Sequence, residues 1–437
     1  MAEPASPRGL VIAAPRSGSG KTLVTLGLIG ALRQNGLAIA PAKTGPDYID
    51  GAFHARAAGR ETINLDPWAM APERLRAIAA AHATGSDFLL VEGVMGLFDG
   101  AADGTGSTGD LAAQLTLPVL LVVDCERQSQ SVAPLVAGFA NWRTDVRIAG
   151  LILNRVGSDR HGAMLRRALA PLGIPVVGAL PRAEVLSVPS RHLGLTLPGA
   201  IETLPALLDA AATHVVDHCD LEAIRALAAP LAHPTTIAKP LPPLGQRIAI
   251  ARDEAFAFLY PHWLADWRAA GASLSFFSPL DNEPPAAEAD AILLPGGYPE
   301  LFAARLAAAS EFKSGLQAAA ARGALVYGEC GGFMCLGQTL TDAQGVTHPM
   351  AGLLPLATRI DRPRRVLGYR RLVHRGALPW PTHLSGHEFH YSSGTLAQGV
   401  TPLFAVTDAE GLALPAMGAR LGTVMGSYAH VIDGGEG

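Results

Sequence analysis

Residues 9–36 read GLVIAAPRSGSGKTLVTLGLIGALRQNG: a short apolar run, a turn of small residues ending in Lys21 and Thr22, then an apolar segment of helical length. Strand, glycine-rich turn and helix in that order form the setting in which a phosphate-binding loop is built. Gly18 and Gly20 let backbone N–H groups approach phosphate oxygens, Lys21 is placed to meet the terminal phosphates, and Thr22 is placed to ligate Mg²⁺. With Arg16, Ser17 and Ser19 they make up the expected ATP-binding segment. The fit to GxxxxGK[ST] is imperfect, because Pro15 occupies the place of the first glycine and Arg16 sits where a subgroup of such loops carries an additional lysine. Only four lysines occur in the chain and one lands here, which favours a phosphate site over a glycine turn that merely caps a helix.

Further apolar runs follow the same alternation with helical stretches: FLLVEG at Phe88, PVLLVVD at Pro118 and IAGLILNR at Ile148. Continuous apolar strands alternating with helices imply a parallel sheet covered on both faces, an α/β architecture. The proline-rich segment HPTTIAKPLPPLGQ has no periodic pattern and reads as a stiff linker, 233–246. Beyond it the alternation resumes with RIAIA at Arg247, ASLSFF at Ala272, AILLPGG at Ala291 and ALVYGECGG at Ala324. The expected division is therefore a first α/β domain over 1–232 and a second over 247–437.

Composition excludes several function classes. Of 437 residues, 49% are apolar and 16% charged, which rules out a disordered or charge-driven chain. A net charge of −4 offers no electrostatic excess for nucleic acid or an anionic membrane, so neither is expected as a partner. The apolar run LPVLLVV, Leu117 to Val123, is far shorter than the ~20 residues of a membrane-spanning helix. MAEPASPRGLVIAA lacks the features of a secretory signal, and a cytoplasmic location is expected. Cys125, Cys219, Cys330 and Cys335 form neither a disulfide framework nor a CxxC zinc pair, and each is judged as a lone thiol.

Three acidic clusters stand at strand ends, where α/β enzymes place ligand sites. KTGPDYID, Lys43 to Asp50, and VEGVMGLFDG, Val91 to Gly100, supply Asp47, Tyr48, Asp50, Glu92 and Asp99. Glu92 takes a Walker-B-like position for Mg²⁺, shared with Thr22 and Asp47 as metal ligands. Asp47, Tyr48, Asp50 and Asp99 are the candidates for holding substrate or an activated intermediate, with turn and cap roles as the alternative for the carboxylates. In the third cluster, VVDCERQ at Val122, Asp124 reads equally as a helix cap.

In ALVYGECGGF, Cys330 follows an apolar strand inside Gly328-Glu329-Cys330-Gly331-Gly332, the form of a nucleophile elbow that exposes its central residue at a strand-to-helix turn. A helix amino terminus there stabilises a thiolate. Gly297 of AILLPGGYPE and Gly331 are candidates for the oxyanion hole, and His430 of GSYAH for the base. Such a Cys–His pair attacks an amide, forms a thioester and releases ammonia. GHEFHYSS, Gly386 to Ser393, fails the HExxH zinc spacing, because position 391 is Tyr391; substrate contact or a structural role is expected instead.

PRSGSGKT, KTGPDYID, VEGVMGLFDG, FFSPLDNEPP, LLPGGYPE, YGECGGFM, GYR and GHEFHYS follow one another in the order used by the cobyrinic acid a,c-diamide synthases, which include the hydrogenobyrinic acid enzymes of cobalamin biosynthesis. The chain resembles that family over almost its whole length. The resemblance implies a P-loop, dethiobiotin-synthetase-like parallel-sheet domain followed by a class I glutamine amidotransferase-like α/β domain. It implies ATP- and glutamine-driven amidation of the a and c acetate side chains of a corrin-ring acid, with Mg²⁺, and leaves a homodimer open. The chemistry agrees: a carboxylate is a poor electrophile, and phosphoryl transfer from ATP turns it into an acyl phosphate that ammonia attacks. Free ammonia is mostly protonated at neutral pH, so an enclosed route from Cys330 to the P-loop is expected. One departure is visible. Class I amidotransferases usually place a glutamate two residues after the catalytic histidine, and Ile432 stands there, so a dyad with low idle glutaminase activity is expected. The competing readings are cobyric acid synthase, a nickel-sirohydrochlorin a,c-diamide synthase, and a P-loop ATPase switch without amidase activity.

Overall fold

The computed structural model describes residues 7–183, 199, 201–232 and 239–435. It divides into two compact units, Met1–Ala238 and Lys239–Gly437. The amino-terminal part of the segment read as a linker, 233–238, lies outside the described residues. Its remainder is no free spacer: Leu241 and Leu244 are buried, and the Trp380 indole N–H donates to Pro242 O at 2.9 Å.

The first unit contains strands β1 (Arg8–Ala13), β2 (Ile39–Thr44), β3 (Ile63–Leu65), β4 (Phe88–Glu92), β5 (Val119–Asp124), β6 (Ile148–Val156), β7 (Val176–Pro181) and β8 (Ala229–Pro230). They form one sheet in the order β3-β2-β4-β1-β5-β6-β7, parallel throughout, with the short β8 antiparallel against β1. Leu10 to Ile12 and Leu120 to Val123 have no solvent exposure, as expected where helices cover both faces of a sheet. β1 lies between β4 and β5, so its carboxyl end opens between two parallel neighbours. Helix α1 (Lys21–Gln34) leaves that end, and α2 (Tyr48–Ala58) follows β2.

The second unit begins with β9 (Arg247–Ala251), β10 (Ser273–Phe277), β11 (Ala291–Leu294) and β12 (Leu325–Glu329). Beyond these, β13 (Thr339–Thr341), β14 (Thr347–Pro349), β15 (Leu356–Arg359), β16 (Val366–Val373), β17 (His383–His390) and β18 (Ser393–Leu396) precede β19 (Phe404–Thr407), β20 (Ala413–Met417), β21 (Ala419–Leu421), β22 (Val424–Ser427) and β23 (Ala429–Gly434). The central sheet runs β10-β9-β11-β12-β22-β21 and is parallel except for β21. The strand alternation placed its first four members correctly. Two further sheets, β14-β13-β15-β18 and the antiparallel β20-β19-β16-β17-β23, were not read from the sequence. Some of their strands bury one face at a time, as in Phe404 and Val406 of β19, while β17 and β23 are buried on both faces but carry polar residues such as Ser385, His387, Glu388 and His430, so neither kind shows the continuous apolar runs that reveal a parallel core.

Candidate active site

The loop before α1 is shaped by two constraints at Gly20. Its backbone is left-handed, with φ 88°, and a β-carbon would collide with the Asn154 side-chain amide, which donates to Ser19 O at 2.9 Å. Only glycine meets both conditions. Ser19 Oγ donates to Arg16 O at 2.9 Å and closes the turn. Arg16 reaches Asp124 Oδ2 at 3.1 Å, and Arg155 holds the same oxygen at 2.8 Å. Asp124 is therefore a shared anchor for two arginines and not a helix cap. Ser17 and Gly18 lie in the exposed part of the loop.

Lys21 is buried and donates to Met95 O; burial lowers its pKa below the ordinary lysine value, partly offset by Glu92. Thr22 Oγ1 lies 2.8 Å from Glu92 Oε1 and 3.3 Å from Asp50 Oδ2. Three of the four carboxylates of the two acidic motifs converge on a residue that was not singled out. Lys43 Nζ stands 2.7 Å from Asp50 Oδ2, 3.0 Å from Glu92 Oε1 and 3.5 Å from Asp47 Oδ2. His54 Nε2 approaches the other Glu92 oxygen at 2.5 Å, and the His54 and Glu92 side chains are fully buried. Burial alone would raise the Glu92 carboxyl, but Lys43 and His54 outweigh it and hold the group well below the usual carboxylate range. Asp50 is pushed up to about 6, chiefly by burial and then by the neighbouring charge of Asp47, against the pull of Lys43.

Asp47 serves two structural purposes. Its Oδ1 accepts from Ile49 N and Asp50 N and so caps α2, while Oδ2 faces Lys43. Of the two aspartates, Asp50 and not Asp47 joins Glu92 at Thr22. Tyr48 is the first residue of α2 and is partly exposed. Asp99 Oδ2 accepts from Gly96 N at 2.8 Å within its own turn, and its charge acts on Lys21. A cavity of about 540 Å³ borders the loop, lined by Thr22, Asn154, Arg155, Pro181, Arg182 and His214.

In the second unit, Gly296-Gly297, Cys330 and His430 follow the carboxyl ends of β11, β12 and β22, which are adjacent in the sheet. Cys330 has φ 45° and ψ −105°, the strained elbow expected of a nucleophile between a strand and the short helix Gly331–Leu336. Its N–H donates to Ser427 O at 2.8 Å, which ties the elbow to the strand that leads to His430. The backbones of Gly297 and Gly331 lie against each other: a β-carbon on Gly331 would stand 3.0 Å from Gly297 N. Gly296 likewise packs on the His430 ring, with no room for a side chain.

Cys330 is only 4% exposed, and its surroundings are polar: its thiol points to Phe389 O at 3.8 Å. Burial pushes the thiol pKa up, and Glu300 and Glu329 push it further. The following helix has six residues, and its dipole does not overcome burial, so the expected stabilised thiolate is a protonated thiol in this geometry. His430 is held well below the ordinary histidine value by burial and then by His387 and His390, which leaves a neutral ring able to accept a proton. His387, paired with His430 in the β17–β23 register, meets it edge to face with centroids 4.7 Å apart. Ile432 holds the sequence position of the absent third triad member, and its carbonyl accepts from His262 Nε2 and Trp263 Nε1, each at 3.1 Å. GHEFHYS lies mostly on strand β17, not on a helix, where Glu388 joins Arg370 and His390, each at 2.8 Å.

Lys43, Asn154 and His54 were missed; His387 stands in the quoted GHEFHYSS, for which substrate contact or a structural role was expected, but its place against His430 was not foreseen. Lys43 carried a usable signal, since it stands inside a quoted motif and is one of four lysines; the others depend on pairings distant in sequence.

Residues 10–195 match the CobQ/CobB/MinD/ParA nucleotide binding domain, and residues 247–436 match the CobB/CobQ-like glutamine amidotransferase domain. Over 430 residues the chain is 55% identical to the hydrogenobyrinate a,c-diamide synthase of Brucella abortus, covering 98% of each chain. The enzyme of that name from Rhizobium meliloti is 54% identical over 98% of this chain and 100% of its own. The one from Rhodobacter capsulatus is 49% identical over 98% and 99% respectively.

Proposed function

We infer the reaction from the premise that this chain belongs to the hydrogenobyrinate a,c-diamide synthase family. It is a glutamine-dependent, amide-forming ligase of cobalamin biosynthesis that uses ATP and acts on a corrin acid. The finer reading is that hydrogenobyrinic acid is the acceptor and that its a and c acetate carboxylates become amides through acyl phosphates. Residues 1–232 carry the synthetase half, 247–437 the glutaminase half, and 233–246 join them. No helix among the described residues is long and apolar enough to cross a membrane, and a cytoplasmic homodimer is part of the proposal.

In the synthetase half, the Arg16–Thr22 loop presents N–H groups and Lys21 to the phosphates, and the cavity beside Thr22 and Asn154 receives the nucleoside. The donor set fits Mg²⁺: Thr22, Asp50 and Glu92 offer hard oxygens, and the Asp50 carboxyl is raised by burial first and then by the charge of Asp47, against the pull of Lys43. Bound there with Asp47 nearby, Mg²⁺ would neutralise phosphate charge during phosphoryl transfer. Among the described residues no His, Cys, Asp and Glu group forms a ready metal cage, so phosphate oxygens would complete its shell. Lys43 holds Asp50 and Glu92 in place, while Asp99 steadies the loop facing Lys21.

In the glutaminase half, His430 takes the Cys330 proton as the sulfur attacks the glutamine amide carbon. The carbonyl oxygen turns towards the N–H groups of Gly297 and Gly331 as negative charge develops on it. The C–N bond breaks, the proton passes to the leaving nitrogen, and ammonia departs; water then cleaves the thioester to glutamate.

The convergence of Gly297, Cys330, Gly331 and His430 at the ends of adjacent strands is the observation that carries the glutaminase half of this reading. Purified protein supplied with hydrogenobyrinic acid, glutamine and Mg-ATP should give a diamide by mass spectrometry. Turnover confined to another tetrapyrrole acid would contradict the assigned substrate.

A further inference from the structure

The chemistry above leaves one group beside Cys330 without a task. Glu300 lies in the 3-10 turn Pro299–Phe302, which departs directly from Gly296-Gly297. That turn borders the nucleophile: a β-carbon on Gly331 would stand 2.8 Å from Pro299 Cδ. Glu300 keeps some surface as a residue, but its Oε2 is buried and takes no hydrogen bond among the described residues. Buried polar atoms are nearly always paired, and an exception calls for a reason.

The electrostatics point the same way. After burial, the Glu300 charge is the largest influence raising the Cys330 thiol. Burial also pushes the Glu300 carboxyl up to about 7, as expected of an anion without a counter-ion. The other two carboxylates that act on the thiol are already matched: Glu388 by Arg370 and His390, and Glu329 by the Tyr327 hydroxyl and Val431 N.

Glutamine brings three polar groups to this site: an amide, a carboxylate and an α-ammonium. The ammonium alone complements an unpaired carboxylate. We propose that Glu300 accepts the α-ammonium group of glutamine and is the residue that selects glutamine over simpler amides. The proposal rests on the glutaminase reading of Cys330. An ammonium supplies three N–H donors to an oxygen, Glu300 Oε2, that accepts none among the described residues. It also screens the thiol from the Glu300 charge, so bound glutamine eases the ionisation of its own nucleophile.

The test uses the full-length protein with ATP and hydrogenobyrinic acid present and compares glutamine with glutaramate, the same five-carbon amide without the amino group. Wild type should prefer glutamine in kcat/KM by at least ~100-fold, because a site built around a polar group rejects the analogue lacking it. Glu300→Gln should lose ~100-fold on glutamine, mainly in KM, and little on glutaramate, so that the preference falls below ~10-fold. Ammonia-driven amidation reports whether the variant is folded. A Glu300→Gln enzyme that keeps the full preference overturns the proposal. So does a wild type that hydrolyses both amides equally, a result that needs no variant. If wild type cleaves neither amide and Cys330→Ala changes nothing, the glutaminase reading itself has failed.

Discussion

Lys43 and Glu92 form an ion pair across 3.0 Å, with side-chain exposures of 2% and 0%. They sit opposite each other in the β2–β4 register, 49 residues apart in sequence. Because neither group can fall back on water, removing Lys43 leaves Glu92 buried with only His54 and Thr22 against it and strips Asp50 of its nearest cation.

Lys43→Met should therefore cost roughly 3–5 kcal/mol of stability, the usual penalty for breaking a buried pair. It should also lower ammonia-driven amidation by at least ~100-fold, since the Asp50 and Glu92 carboxylates lose the group that orients them. Calorimetry and an ammonia-driven assay check the two effects. A variant with wild-type melting and turnover would show that Lys43 merely fills space.

The contact between Gly296 and His430 yields a sharper substitution. Gly296→Ala places a methyl group where the imidazole ring now lies, and a displacement near 1 Å at a catalytic group costs ~100-fold. Glutamine-driven synthesis should fall by that factor while ammonia-driven synthesis persists. Gly138→Ala is the control: its β-carbon meets nothing within 4 Å, and a helical alanine should add up to ~1 kcal/mol. Equal glutaminase rates in the two variants would refute the placement of His430.

Glu329 gives a pH dependence. Tyr327 Oη and Val431 N both donate to its Oε1 at 3.0 Å, and burial raises its carboxyl from 4.5 to about 8. Between those values the folded protein holds a proton that the unfolded chain has released, so this group's contribution to stability falls as pH rises. It is fully present below 4.5 and lost by about 8. Glu329→Gln mimics the protonated form and should flatten the fall of Tm between pH 5 and 8, a difference largest at the alkaline end. A wild-type Tm that climbs over this range, with the variant in parallel, would exclude a protonated Glu329.

The sequence was most informative where chemistry is local. The P-loop is a strand, a turn and a helix within 28 residues, and the Cys330 elbow is five residues that declare their own geometry. Asp47 and Asp50 were visible as a motif, but their division of labour was not. Which carboxylate reaches Thr22 depends on the helical offset after the Asp47 cap. The pairing of His387 with His430 comes from the β17–β23 register, and β17 buries polar residues on both faces, so no hydrophobic pattern in it announces that register. Asn154 shows itself only when β6 is placed two strands from β1. The helix-dipole expectation for Cys330 failed for a countable reason, because a six-residue helix competes with near-complete burial.

The central claim is that nitrogen is released at Cys330 and consumed at the Lys21 site. The most direct measurement is amide formation from hydrogenobyrinic acid and Mg-ATP by wild type, Cys330→Ala and Lys21→Ala, each with glutamine or with ammonium as nitrogen source. Cys330→Ala should make diamide from ammonium but not from glutamine, and Lys21→Ala should make none from either. Undiminished glutamine-driven synthesis by Cys330→Ala, or any full-rate synthesis by Lys21→Ala, would contradict it.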